Sequence, residues 1–147
     1  MQPLINLGSA LCAWAMLMSA GPAQAAPAAA LKGLAIYTVA SPGVIEDVSD
    51  GRKRTRAAHG GPTITITVVE LGYGRGPQAT FNGAPLSYRQ RYSLCEFNKP
   101  FVPCNSGAVL GYSYIYELPG PQQGGFSISD RSLVPPVQTM TATIEIN

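Results

Sequence analysis

PTITITVVEL, residues 62–71, decides the fold class because it alternates β-branched apolar side chains with threonines. Its two isoleucines and Val68 fall on one face and the threonines on the other, which is the pattern of a strand with one buried face. The alternation breaks near the end, since continuing it would bury Glu70 and expose Val69 and Leu71. A β-bulge near Val68 and Val69 would restore the pattern. We therefore predict a half-buried strand with a bulge near its end.

The rest of the chain repeats this period of two and leaves little room for helices. Glycine and proline occur so often that only residues 86–99 and 137–147 could hold a helix of ordinary length. We expect a mainly β single domain of about five to seven strands, arranged as a small antiparallel β-sandwich. The further strand segments are LAIYTV (34–39), the hairpin ATFNGAPL (79–86) with Asn82-Gly83 at its turn, AVLGYSYIYEL (108–118) and VQTMTATIEI (137–146).

The segment LSYRQRYSLCEF, residues 86–97, fits two structures. It alternates tolerably as a strand. However, Ser87 and Gln90 have the spacing of a helix capping box, and two tyrosines and a cysteine recur at i, i+4 and i+7. We expect at most one short helix in the protein, near residues 87–95.

A stripe of tyrosines, Tyr112, Tyr114 and Tyr116, lies on one face of a predicted strand. Such a stripe could present aromatic rings to sugars or bases. Leu110 and Leu118 share that face, however. We therefore interpret the stripe as a core face whose hydroxyl groups reach outward.

The first 25 residues carry no Asp, Glu, Lys or Arg and end in Ala23-Gln24-Ala25. This is typical of a secretory signal peptide that is cleaved before Ala26. The apolar stretch falls short of the roughly 20 residues that a membrane span needs, so we predict no transmembrane segment. We expect a signal peptide at 1–25, an Ala/Pro-rich leader at 26–33 and one domain at 34–147. The protein would be secreted, with the periplasm as the alternative location.

Cys95 and Cys104 are the cysteines that remain when the signal peptide is removed together with Cys12. An even pair in an exported chain predicts a disulfide. The chain-entropy model gives such a bond about 2.5 to 3 kcal/mol for a loop of roughly ten residues. The chain has one histidine, and it cannot supply the four soft ligands of a zinc site. We predict a structural disulfide and no metal site.

Three glycines, Gly72, Gly74 and Gly76, have the spacing that opens a phosphate-binding loop. Such a loop works because a helix begins at its last glycine and directs free N–H groups at the anion. Here Pro77 and a predicted strand follow, and there is no Gly-Lys-Ser/Thr ending. We predict no nucleotide cofactor and interpret the glycines as a tight structural connection.

The same region carries a family resemblance. GPTITITVVELGYGRGPQATFNGAPLS (61–87), the cysteine pair after it and GAVLGY (107–112) resemble the YolA-like family of small secreted bacterial proteins, a domain of unknown function. The resemblance spans roughly residues 61–112. It implies an exported single domain with a disulfide. The family supplies no catalytic residues to carry over, so the activity stays open.

The connection VIEDVSDGRKRTRAAHGG, residues 44–61, holds four cations, Arg52, Lys53, Arg54 and Arg56. A connection of this length is suspected of function. Acidic residues precede the cations, however, and the formal net charge of +2 is too small to indicate nucleic acid by itself. A solvated, partly disordered loop is favoured over an anion-binding loop. If the segment binds, we expect a phosphate-rich polymer or an anionic cell-surface component.

The candidates for catalysis are weaker. A secreted ribonuclease could use His59, Glu70 and Arg75, but nothing in the sequence places the histidine within reach of the glutamate. Glu70 and Glu117 could serve glycoside hydrolysis, although any chain of this size has such pairs. We predict a binding or interaction module for an anionic extracellular partner, without a cofactor. The alternative is a small secreted hydrolase, either ribonuclease-like or degrading a cell-wall polymer.

Overall fold

The computed structural model describes residues 28–96, 102–104, 106–120 and 122–147. The predicted signal peptide lies outside these residues. The described part forms no helix, and therefore none that could cross a membrane. Its strands are β1 (Gly33–Ser41), β2 (Val44–Asp47), β3 (Thr63–Leu71), β4 (Gln78–Phe81), β5 (Ala84–Leu86), β6 (Gln90–Leu94), β7 (Gly111–Pro119), β8 (Gly124–Arg131) and β9 (Thr139–Ile146).

The strands form two antiparallel sheets, in the orders β2-β1-β3-β7-β6 and β5-β4-β8-β9. This confirms the predicted sandwich of a single small domain. The described part has nine strands rather than five to seven. The additional strands are β2 and β8, which the sequence pattern did not mark because they are short or carry few apolar side chains, and β6, whose segment suited either a strand or a helix.

Both sheets contribute side chains to one apolar core. β3 supplies Ile64, Ile66 and Val68, and β8 supplies Phe126 and Ile128, all of them buried. Each fully buried side chain of this kind contributes about 1.5 to 3 kcal/mol relative to leaving it exposed. The alternation read from residues 62–68 is therefore confirmed as the pattern of a strand with one face in the core.

The tyrosine stripe belongs to this core. Tyr114 and Tyr116 are buried and Tyr112 is half-buried. The ring of Tyr116 lies 5.3 Å from that of Phe126 on the other sheet, which joins the two layers through an aromatic contact. Burial raises the pKa of both buried tyrosines above its usual range. The interpretation of the stripe as a core face is confirmed, but the expectation that its hydroxyl groups reach outward is wrong for Tyr116, whose hydroxyl is buried.

The predicted bulge in β3 is wrong. β3 pairs with β7 without a break, and the irregularity lies in β1, where Tyr37 is the extra residue between Ile36 and Thr38. Without a bulge, β3 keeps its alternation to the end, and Glu70 lies on the same face as Val68. Val69 is buried, and so is Glu70, which is only 1% exposed. The sequence pattern had detected a buried carboxyl group and not a bulge.

Of the two structures that suit residues 87–95, the helix is wrong and the strand is confirmed. Gln90–Leu94 forms β6, which pairs antiparallel with β7 along five residues from Gln90↔Ile115 to Leu94↔Gly111. A free edge of β7 offers backbone hydrogen bonds to this segment, and such tertiary pairing outweighs a local helical preference. The adjacent Tyr88 ring lies 5.2 Å from the ring of Tyr114.

Two local predictions are confirmed. Asn82 and Gly83 have φ angles of 50° and 81° at the turn between β4 and β5, as a tight hairpin of mirror-image type requires. Cys95 and Cys104 form a disulfide, with their Cα atoms 5.5 Å apart. It joins the end of β6 to the segment that leads into β7.

The segment before β1 is paired with the rest of the domain. The Tyr73 N–H donates to the Ala29 carbonyl at 3.0 Å, and the Lys32 N–H donates to the Leu71 carbonyl at 2.7 Å. Leu31 is fully buried. These residues cover the loop that contains Gly72, Gly74 and Gly76, hereafter the glycine loop (residues 72–76).

Candidate functional site

The basic segment, residues 52–56, is held in place by the end of β9. The Thr55 N–H donates to the Glu145 carbonyl at 2.9 Å, and the Glu145 N–H donates to the Lys53 carbonyl at 2.8 Å. The side chain of Thr55 is buried and accepts a hydrogen bond from the Asn147 N–H. The expectation of a partly disordered loop is therefore wrong, because strand-like pairing to β9 satisfies the backbone of this segment.

Glu46 at the end of β2 fixes the segment from the other side. Its carboxylate accepts hydrogen bonds from the Arg52 guanidinium and from the N–H groups of Arg56 and Ala57, at 2.8 to 3.0 Å. Burial raises the pKa of Glu46, but these hydrogen bonds outweigh it and hold the pKa below its usual range. Arg52 also binds Asp50, whose pKa it lowers to about 2.

The arrangement leaves three cations exposed. Lys53, Arg54 and Arg56 point to solvent, whereas Arg52 is half-buried and engaged by two carboxylates. A cavity of about 190 Å³ opens beside them between β1 and β9, with Arg52 and Lys53 on its rim. The four predicted binding residues thus lie together on an ordered segment. Their role in binding stays a prediction.

The candidate catalytic sets that the sequence offered are not assembled. His59 is buried, its Nδ1 lies 3.1 Å from the Ser41 hydroxyl, and its Nε2 lies 3.6 Å from the Glu46 carboxylate. His59 precedes β3 and Glu70 ends it, so they are separated by the length of the strand, roughly 23 Å. Glu117 is level with Thr65 on β3, about five residues from Glu70, and belongs to the outer face of the sheet.

A second cluster of polar groups lies at the other end of β3, between the sheets. Glu70 of β3 and Asp130 of β8 are 1% and 3% exposed, and their carboxyl groups interact. Burial, and then the neighbouring Asp130 carboxyl, raise the pKa of Glu70 to about 7. Two buried carboxyl groups this close cannot both ionise cheaply, so Glu70 keeps its proton until the pH approaches 7.

The glycine loop wraps this carboxyl pair. The Gly74 N–H donates to Glu70 at 3.0 Å, and the Gly76 N–H donates to Asp130 at 3.2 Å. A side chain at Gly74 would collide with the Asp130 carboxylate. The N–H groups that a nucleotide-binding loop would offer to phosphate are used here for carboxyl groups of the protein itself.

Asp130 is the residue of this cluster that the sequence did not single out. The sequence contained a pattern that could have identified it, because Asp130 continues the alternation that places Phe126 and Ile128 in the core. Beyond Asp130 lies a cavity of about 260 Å³, with Arg75 and Arg131 among its lining residues. In the described part of the chain, no group of three or more His, Cys, Asp or Glu side chains is placed to hold a metal ion.

Comparison with known proteins adds a family. A family model described as "Domain of unknown function (DUF4879)" matches residues 26–146. No curated protein matches the chain. The matched range includes both sheets, the basic segment and the carboxyl pair, and its description assigns no activity to any of them.

Proposed function

We propose that this chain, which belongs to the DUF4879 family of proteins with a domain of unknown function, is an exported binding module whose basic segment contacts an anionic extracellular partner. The partner is a phosphate-rich polymer or an anionic component of the cell surface. The single observation that carries the proposal is the fixed presentation of Lys53, Arg54 and Arg56 to solvent on a segment hydrogen-bonded to β9.

The fixed backbone matters for affinity. Ordering one residue of a flexible loop costs about 1 to 2 kcal/mol, which a mobile basic loop would lose on binding. Here β9 and Glu46 have already ordered the segment. Arg52 belongs to the site as a positioning residue, since its guanidinium ties the segment to Glu46 and Asp50.

The segment and the residues before it carry a small net charge, because the three acidic residues of 46–56 leave a formal sum of +1 against its four cations. Arg52 forms ion pairs with both Glu46 and Asp50 but balances only one of their two charges, so the acidic residues offset part of the charge of the exposed cations. Glu145, which is exposed on the neighbouring strand, reduces the field. We therefore expect binding that is salt-sensitive and of modest affinity.

Two features of the sequence support export. Residues 1–25 have the pattern of a signal peptide, and the Cys95–Cys104 disulfide is of the kind that persists in an oxidising compartment. The finer resemblance to the YolA-like family agrees with a small secreted protein. A protein isolated from the medium should begin at Ala26 by mass spectrometry.

The test measures retention on immobilised RNA and on inorganic polyphosphate across a salt gradient. The triple variant Lys53→Ser/Arg54→Ser/Arg56→Ser should elute at lower salt, with the log–log salt slope reduced by up to about 2 to 3. A matched control, Arg89→Ser/Arg91→Ser/Lys99→Ser, removes equal charge elsewhere in the sequence and should elute much closer to the wild type. Equal elution of both variants would contradict a site at the basic segment.

The hydrolase alternative has less support, because neither candidate set of catalytic residues is brought together. We expect no turnover of RNA or of cell-wall polymers by the purified protein. Turnover that disappears in Glu70→Gln would favour the alternative and would move the functional site to the carboxyl pair.

A further inference from the structure

The loop between β8 and β9 exposes an apolar tip. Its sequence is LVPPV, residues 133–137. Leu133 is 52% exposed and Val137 is 47% exposed, and the two prolines between them also face solvent. Large exposed apolar side chains that adjoin one another on a small protein commonly mark an interaction surface.

The tip is fixed and not a frayed connection. The Ser132 N–H donates to the Gln138 carbonyl at 2.8 Å and closes the loop at its base. The Leu133 N–H donates to the Tyr73 carbonyl at 3.0 Å, which attaches the loop to the glycine loop. The buried Ser132 hydroxyl donates to the Val134 carbonyl and accepts from the Leu31 N–H. The exposure of Leu133 and Val137 is therefore a property of the folded state.

Cations surround the base of the tip. Arg131 precedes the loop, and the Arg75 N–H donates to the Arg131 carbonyl at 2.9 Å, so both exposed arginines lie at this base. Exposed Lys32 follows Leu31, the residue bonded to Ser132. The carboxyl groups of Glu70 and Asp130 are buried and held by backbone N–H groups, so they present little negative charge to the surface here.

We propose that this end of the molecule docks onto an anionic lipid bilayer, with Leu133 and Val137 entering the headgroup region and Arg75 and Arg131 contacting lipid phosphates. An apolar tip with a cationic base complements both layers of such a surface, the apolar boundary and the negative headgroups. A stable protein interface covers about 800 Å² per partner. A five-residue tip is small for that, whereas shallow insertion into a membrane needs no larger area.

This surface is distinct from the basic segment. The tip precedes Thr139 at the start of β9, whereas the basic segment pairs with Glu145 near its end. Six residues of strand separate these points by about 20 Å. Substitutions at one surface should therefore leave the structure of the other in place.

The test is co-sedimentation with vesicles of phosphatidylcholine, with and without phosphatidylglycerol, using a chain that begins at Ala26. This chain retains both sheets and omits the apolar residues 11–18. The wild type should bind vesicles that contain phosphatidylglycerol. Leu133→Ser/Val137→Ser should bind them at least tenfold more weakly. Arg75→Ser/Arg131→Ser should lower the affinity for these vesicles roughly fivefold for each cation removed. The sole tryptophan of the sequence, Trp14, is absent from this chain. Leu133→Trp therefore adds a single fluorescent probe to the tip, and its emission should shift to the blue on binding.

Two controls make the result specific. Ile45→Ser replaces a side chain that is 81% exposed on β2, and it should leave vesicle binding unchanged, as should Arg89→Ser, which removes an exposed cation just before β6. Absence of vesicle binding, or binding that the tip substitutions leave unaltered, would overturn the proposal. So would self-association that Leu133→Ser/Val137→Ser abolishes without vesicles, because the tip would then be a contact between two copies of this chain.

Discussion

Glu70 carries the clearest chemical consequence at the scale of single residues. Its pKa is raised from 4.5 to about 7 by burial and by Asp130. Between pH 4.5 and 7, Glu70 is therefore protonated in the folded protein and ionised in the unfolded chain. Its contribution to stability is complete below pH 4.5 and is lost as the pH rises through 7, by on the order of 3 kcal/mol.

Glu70→Gln should remove this dependence. A glutamine amide can still accept from the Gly74 N–H and can donate to Asp130, as the protonated acid does. We expect the variant to match the wild type near pH 5 and to exceed its free energy of unfolding at pH 8. Urea titrations at both pH values measure the difference. A wild type that gains stability from pH 5 to pH 8 would contradict the protonated pair.

Gly74 has no positive φ, so its backbone conformation does not require glycine. Space does require it, because the Asp130 carboxylate lies where a Cβ would be. Gly74→Ala should therefore lower the free energy of unfolding by about 1 to 3 kcal/mol. Gly60 has neither a positive φ nor a neighbour within 4 Å, so Gly60→Ala is the matched control and should be neutral or slightly stabilising. Equal effects of the two changes would show that the contact with Asp130 is unimportant.

At the scale of elements, Glu46 holds the basic segment. Glu46→Ala removes the acceptor of the Arg56 and Ala57 N–H groups and of Arg52, which should cost about 1 to 3 kcal/mol. Amide hydrogen exchange at Arg56 and Ala57 should become faster. Glu117→Ala is the control, because its pair with Arg89 is exposed and contributes less than about 1 kcal/mol. Unchanged exchange in Glu46→Ala would mean that β9 alone orders the segment.

The elements also show how far the sequence could lead. β3, β7 and β9 were predictable because their side chains alternate with a period of two around a buried face. β6 was not, because its local pattern also suits a helix and the free edge of β7 decided the outcome. Only one member of the carboxyl pair stands out in the sequence: Glu70, because it falls on the apolar face of its strand. Its partner Asp130 comes from the other sheet, and no local pattern reports a contact between sheets.

At the scale of the whole molecule, polar functions are divided between the two ends of the sandwich. At one end the basic segment and the buried His59 are organised around Glu46 and the end of β9. At the other end the glycine loop closes over Glu70 and Asp130 and supports the apolar tip. The core between them keeps both ends fixed, which makes each surface testable without disturbing the other.

The central claim, that the basic segment and not the backbone N–H groups of Gly74 and Gly76 bind the anionic partner, is tested most directly by nuclear magnetic resonance. A ¹⁵N-labelled chain is titrated with inorganic polyphosphate while amide shifts are followed. The amides of Lys53, Arg54 and Arg56 and of the adjacent Glu145 should shift in a saturable, salt-sensitive manner, and those of Gly74 and Gly76 should stay in place. Shifts that concentrate at Gly74 and Gly76 and leave residues 53–56 unmoved would contradict the account.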